Sequence, residues 1–103
     1  MTFHPLEKMH QLYDGYCKSF SISGKKLLLI QNEGRTYLIT NRCPHMDAPL
    51  DFATFDGEKL RCPVHGIEFD LPSGKAMGSL AGCINGLENH TITYEGNQLG
   101  ILL

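Results

Sequence analysis

The stretch CPHMDAPLDFATFDGEKLRCPVHG, residues 43–66, decides the reading of this chain. Within it a Cys-Pro is twice followed by a His, first as Cys43-Pro44-His45 and then as Cys62-Pro63-Val64-His65. Each segment therefore offers one thiolate and one imidazole. Two such pairs divided by a hairpin's length are a poor fit to coincidence in 103 residues, and clustered Cys and His outside a secreted context point to a metal. Pro44 and Pro63 fix φ after each thiol and stiffen the two loops. Gly66, directly after His65, allows the backbone a close approach.

Two kinds of metal centre suit this donor set. Two thiolates and two imidazoles make an ordinary tetrahedral zinc site, although zinc fingers usually pair Cys with Cys and His with His along the chain. Here each loop supplies one of each, and that spacing disfavours zinc. A [2Fe-2S] rhomb accounts for the pairing directly: each iron needs two protein ligands, and two facing loops can each give a Cys to one iron and a His to the other. The candidate ligands are thus Cys43, His45, Cys62 and His65.

Around this stretch the chain reads as strands. Turn signals recur at Asp14-Gly15, Ser23-Gly24, Glu33-Gly34, Asp56-Gly57, Pro72-Ser73-Gly74 and Gly96-Asn97. The segments Tyr16–Ile22, Lys26–Gln31 and Thr36–Thr40 are predicted strands joined by tight hairpins. His90–Glu95 and Gln98–Leu102 are expected to form a terminal hairpin, with Ile92 and Tyr94 on one face of its first strand. Between them, Glu58–Arg61 and Ile67–Asp70 are short strands in a proline-rich, loop-rich region, the kind of place where function sits. One helical turn near Met9–Tyr13 is expected and no longer helix, so the fold class is all-β.

Composition narrows the function. With 42% apolar residues the chain has the make-up of one globular domain, expected to span residues 1–103 with a cluster-binding subdomain at about 42–75. A net charge of −2 argues against nucleic acid, which needs a basic stripe. The longest apolar run, Leu27–Ile30, is far too short to cross a bilayer and suits a buried strand. The opening MTFHPLEKMHQLYDG shows neither part of a secretory signal, so a cytoplasmic protein is expected. Cys17 and Cys83 lack a neighbouring His and read as small buried hydrophobes. His4, His10 and His90 form no cluster, and no catalytic triad, phosphate loop or paired carboxylates stand out, so the chain is not expected to be an enzyme by itself.

The sequence resembles the Rieske family, and within it the soluble Rieske-type ferredoxins. The resemblance rests on Cys43-Pro44-His45 with Ala48-Pro49-Leu50, on Cys62-Pro63-Val64-His65-Gly66, and on Phe69-Asp70 with Gly74-Lys75. It implies stacked antiparallel sheets with a small loop-rich cluster-binding subdomain, and a [2Fe-2S] cluster on Cys43, His45, Cys62 and His65. It further implies a monomeric carrier of single electrons from a flavin-dependent reductase to a terminal non-haem iron oxygenase. The alternative is an accessory subunit similar to the small subunit of assimilatory nitrite reductases. A zinc-stabilised structural domain is the third reading.

Departures within the family set the expected potential. High-potential relatives carry an extra Cys on each loop, where this chain has Ala48 and Val64, and hydroxyls where it has Ile67 and Phe69. Hydrogen bonds to cluster sulfur stabilise the reduced state, so their loss lowers the potential, while two neutral imidazoles in place of thiolates ease reduction. Together these place the midpoint on the order of −150 mV. The run Met77-Gly78-Ser79-Leu80-Ala81 lacks the proline that many relatives carry near the cluster. Residues 42–75 hold six acids against four bases, a mild excess that would steer a basic partner.

Overall fold

The computed structural model describes residues 1–44, 48–63, 66–78 and 84–103. Among them are β1 (Phe3–Lys8), β2 (Tyr16–Ile22), β3 (Lys25–Asn32), β4 (Arg35–Thr40), β5 (Thr54–Asp56), β6 (Lys59–Arg61), β7 (Glu68–Asp70), β8 (Thr93–Glu95) and β9 (Gln98–Leu102). They form three small antiparallel sheets with strand orders β1-β9-β8, β2-β3-β4 and β5-β6-β7. The expected helical turn is a single 3-10 turn, Met9–Gln11. No described helix is long and apolar enough to cross a membrane.

The arrangement follows from the run Leu27-Leu28-Leu29-Ile30 in β3. A strand with one wet face alternates apolar and polar residues, whereas an unbroken apolar run needs cover on both faces. All four side chains are 0% exposed. Leu27 and Leu29 pack with Leu6, Tyr16, Leu38, Leu99 and Ile101, the core shared with the terminal strands. Leu28 and Ile30 point the other way, into a core with Ile39, Cys43, Leu50, Leu60, Cys62, Ile67 and Phe69. Sheet β2-β3-β4 is therefore the middle layer, and Leu28 and Ile30 of β3 are the floor beneath both Cys-Pro loops. Burial of each such side chain contributes roughly 1.5–3 kcal/mol.

The register of the middle sheet is set by two tight hairpins. Ile22 pairs with Lys25 and Asn32 with Arg35, leaving the two-residue turns Ser23-Gly24 and Glu33-Gly34. Both residues of each turn have positive φ (51° and 80°, 52° and 77°), the backbone of a type I′ turn whose twist matches the strands it joins. The Asn32 side-chain amide donates to the Gly57 carbonyl and so ties this sheet to the β5–β6 turn.

Three elements differ from the sequence expectation. The first is β1, which was not foreseen: Pro5 removes a donor and a bulge between Pro5 and Glu7 interrupts the alternation, both tolerated on a sheet edge. It pairs with β9, where Gly100 lies so close to the His4 carbonyl that a Cβ there would collide with it. The second is β5, three residues long and carried by its pairing with β6. The third is His90–Glu95, expected as one strand. Its first residue belongs to a segment alongside β4, with the Thr40 amide donating to the Glu88 carbonyl, Asn89 bridging Ile39 and the His90 amide donating to the Leu38 carbonyl. Only Thr93–Glu95 pairs with β9, and Tyr94 is exposed while Ile92 packs against the terminal core.

Candidate metal centre

Each Cys-Pro loop leaves the end of a strand and returns by the same hydrogen bond. Asn41 and Arg42 separate Cys43 from the end of β4, and the Cys43 amide donates to the Ala48 carbonyl at 2.7 Å. Cys62 directly follows β6, and its amide donates to the Ile67 carbonyl at 2.8 Å. In both loops the Cys closes onto the residue five positions later. The second loop is tightened further: the Gly66 amide donates to the Cys62 carbonyl at 3.0 Å, and Gly66 turns the chain with φ of 68°. A Cβ at Gly66 would lie 2.9 Å from Nη2 of Arg61, so the missing side chain also makes room for that guanidinium.

The structure brings the two thiols to one place. Cys43 and Cys62 are both 0% exposed and belong to the same apolar core as Leu28, Leu50, Leu60, Ile67 and Phe69. Loops distant from each other in sequence thus deliver both sulfurs to a water-excluded floor. His45 and His65 lie outside the described residues, as do Val64, Ser79–Ala81 and Cys83. Among the described residues no group of three or more potential metal ligands is gathered. Two buried sulfurs at the mouths of matched loops, each loop carrying a His, fit the donor chemistry of a two-iron centre with mixed ligands.

Supports of the first loop were not foreseen from the sequence. Oδ1 of Asn41 accepts the Leu50 amide at 2.8 Å and Nδ2 donates to Oδ1 of Asp51 at 2.7 Å. The Asn41 amide also donates to the Lys26 carbonyl at 2.9 Å, anchoring the loop's root to β3. The Asn41 amide group holds the Asp51 carboxyl below its ordinary range, aided by the Ser19 hydroxyl and the charge of Lys26. On the other side of the second loop, Oδ2 of Asp70 accepts from both the amide and the hydroxyl of Ser73, and the Leu87 amide donates to Gly74. The Met77 amide donates to the Glu68 carbonyl, which places the start of the proline-free run beside β7.

A cavity of about 840 Å³ opens beside the first loop, with Ser19, Lys26, Asn41, Arg42, Pro49 and Asp51 among its lining residues. Cys17 is half-buried on β2 and packs against the core of the two loops, with its Sγ 4.0 Å from the Asp51 carbonyl. Burial pushes its thiol pKa up, and the Asp51 charge adds to the effect. Its sequence context suggested a buried residue, and Cys17 is only partly buried.

Residues 2–82 match the model of the Rieske [2Fe-2S] domain. The chain is 26% identical over 93 residues to the ferredoxin component of a naphthalene 1,2-dioxygenase system of Pseudomonas aeruginosa, covering 90% of this chain and 88% of that one. It is 30% identical over 69 residues to the corresponding component of Pseudomonas putida, covering 67% and 66%. In structure it is similar to the ferredoxin of carbazole 1,9a-dioxygenase from Nocardioides aromaticivorans IC177, with a TM-score of 0.82 at 23% identity over 98% of this chain and 97% of that one, a likeness of fold. The all-β layers, the twin Cys-Pro loops on one buried floor and the match over most of the sequence lead to one assignment: the chain belongs to the Rieske [2Fe-2S] domain family, and membership implies a [2Fe-2S] cluster.

Proposed function

We propose that Cys43 and Cys62 hold one iron of a [2Fe-2S] cluster, that His45 and His65 hold the other, and that the chain carries single electrons from a flavin-dependent reductase to a terminal non-haem iron oxygenase. The observation that carries this reading is the pair of matched loop closures, Cys43 to Ala48 and Cys62 to Ile67, with both thiols fully buried on one apolar floor. The residues are taken as one domain over 1–103, with about 42–75 as its cluster-binding subdomain. The names of the Pseudomonas relatives, ferredoxin components of dioxygenase systems, support a carrier over an accessory subunit.

The bound cluster would supply one-electron chemistry. The protein's part is to hold four donors in place and to set their surroundings. Leu28, Leu50, Leu60, Ile67 and Phe69 exclude water from the sulfur side, and the short loop closures limit how far each Cys can move between oxidation states. Little reorganisation on electron uptake is what a fast carrier requires. His45 and His65 would be the ligands through which electrons enter and leave.

Potentiometric titration of purified protein, followed by EPR of the reduced cluster, tests the assignment. A one-electron transition near the low end of the Rieske range, together with reduction by a flavin-dependent reductase and reoxidation by a terminal oxygenase, is the expected result. Native protein that carries zinc and shows no EPR signal on reduction would overturn it.

A further inference from the structure

We propose that Asn41 is a positioning residue for the first ligand loop, a clasp that joins the loop's two ends, at Asn41 and at Leu50–Asp51, and thereby sets the placement of Cys43; this rests on the ligand assignment above. One planar amide makes both bonds. Its oxygen accepts from the Leu50 amide at 2.8 Å, its nitrogen donates to the Asp51 carboxylate at 2.7 Å, and its own backbone amide is fixed to β3 through Lys26. The loop is thus closed twice: between Cys43 and Ala48 through the backbone, and between Asn41 and Leu50–Asp51 through the side chain.

The second loop needs no such device. Cys62 directly follows β6, and Ile67 leads into β7, so the ladder between Arg61 and Glu68 closes its neck. The first loop leaves the end of β4 but runs into a turn at Leu50–Ala53, where the Ala53 amide donates to the Leu50 carbonyl at 3.0 Å, and among the described residues the chain leaving this loop does not return as a strand paired with β4. Asn41 takes the place of the absent ladder. Few other side chains can do so at this position, because the task needs one acceptor and one donor side by side, the pattern of a carboxamide. The clasp also borders the cavity beside the loop, within reach of water. An acceptor-only side chain would therefore let the neck open rather than leave a sealed defect.

Exchanging the partners tests the clasp. Asn41→Asp keeps the acceptor for Leu50, loses the donor and sets two carboxylates against each other. Asn41→Asp with Asp51→Asn restores one donor and one acceptor in the reversed sense, at unchanged net charge. Cluster-loaded wild-type protein and both variants are compared by EPR g values, by the rate of bleaching of the visible cluster bands in the presence of a chelator, and by amide exchange at Leu50. The single variant should bleach about tenfold faster, the effect of losing a hydrogen bond to a charged group, with shifted g values and faster exchange at Leu50. The double variant should return all three toward wild type. If the single variant does not accumulate, a double variant with wild-type g values supports the clasp, and one that also fails to load overturns it. Unchanged g values and bleaching in the single variant, with only its melting temperature lowered, would make Asn41 a purely structural residue. A wild-type protein with no cluster signal would instead sink the ligand assignment.

Discussion

The Cys62 amide donates to the Ile67 carbonyl at 2.8 Å, so the residue that closes the second loop presents an aliphatic side chain to the same core that holds both thiols. Ile67 is 8% exposed and Phe69 is fully buried. Neither side chain can donate a hydrogen bond to sulfur. Ile67→Ser and Phe69→Tyr are therefore expected to raise the midpoint from the low end of a range of about −150 to +300 mV. Protein-film voltammetry measures it. Phe69→Tyr has an internal control: a hydroxyl that finds no acceptor in this core costs roughly 1–3 kcal/mol, so a stability loss without a shift in potential would show that it misses the cluster.

Removing a proposed ligand should remove the iron that the family implies. Cys43→Ser, Cys62→Ser, His45→Ala and His65→Ala are each expected to abolish the reduced-state EPR signal and most bound iron and acid-labile sulfide. Cys17→Ser should keep all three near wild type, because Cys17 packs against the core and closes neither loop. Loss of the cluster in Cys17→Ser would contradict the ligand assignment.

Adjacent leucines in β3 should separate stability from cluster binding. Leu28 and Leu29 are both 0% exposed but belong to opposite faces, Leu28 to the floor of the Cys loops and Leu29 to the terminal core. Leu28→Ala and Leu29→Ala should each cost about 2–5 kcal/mol in urea unfolding. Only Leu28→Ala should also speed cluster loss and broaden the EPR signal.

Acid should weaken the fold in a defined window. The Lys8 amide and the Tyr16 hydroxyl hold Glu7 below its ordinary 4.5, the Asn41 amide holds Asp51 below 3.8, and the Thr40 hydroxyl and the His90 charge hold Glu88 below 4.5. Between each ordinary value and the lower folded one, the unfolded chain binds more protons than the native state. Their contribution is thus complete above about pH 4.5 and is lost as pH falls through the folded values. Urea midpoints measured from pH 6 to pH 3 should fall below that point, and Glu88→Gln should flatten the fall.

Some of this architecture was legible locally. Type I′ turns announce themselves through Ser23-Gly24 and Glu33-Gly34, and the strands between them match the expected Tyr16–Ile22 and nearly match the other two. The four-residue apolar run of β3 required cover on both faces and has it. By contrast, β1 was hidden because Pro5 and the bulge spoil its pattern, and its stability comes from β9 at the far end of the chain. The expected alternation of His90–Glu95 failed, with Ile92 packed and Tyr94 exposed, because the segment changes partner from β4 to β9, which no local pattern records. Asn41 was silent for the same reason: a carboxamide is a common surface residue until the amide of Leu50 and the carboxylate of Asp51 are brought to it.

The sequence by itself determined the all-β class, the positions of the tight turns and the four candidate ligands, because turn backbone, strand alternation and donor chemistry are properties of neighbouring residues. Only the tertiary structure decided that Cys43 and Cys62 share one buried floor, that both loops close five residues after their Cys, and that the first borrows Asn41 for want of a ladder. Those facts depend on pairings between distant segments, whose free energy comes from burying Leu28, Ile30 and Phe69 together rather than from any local preference.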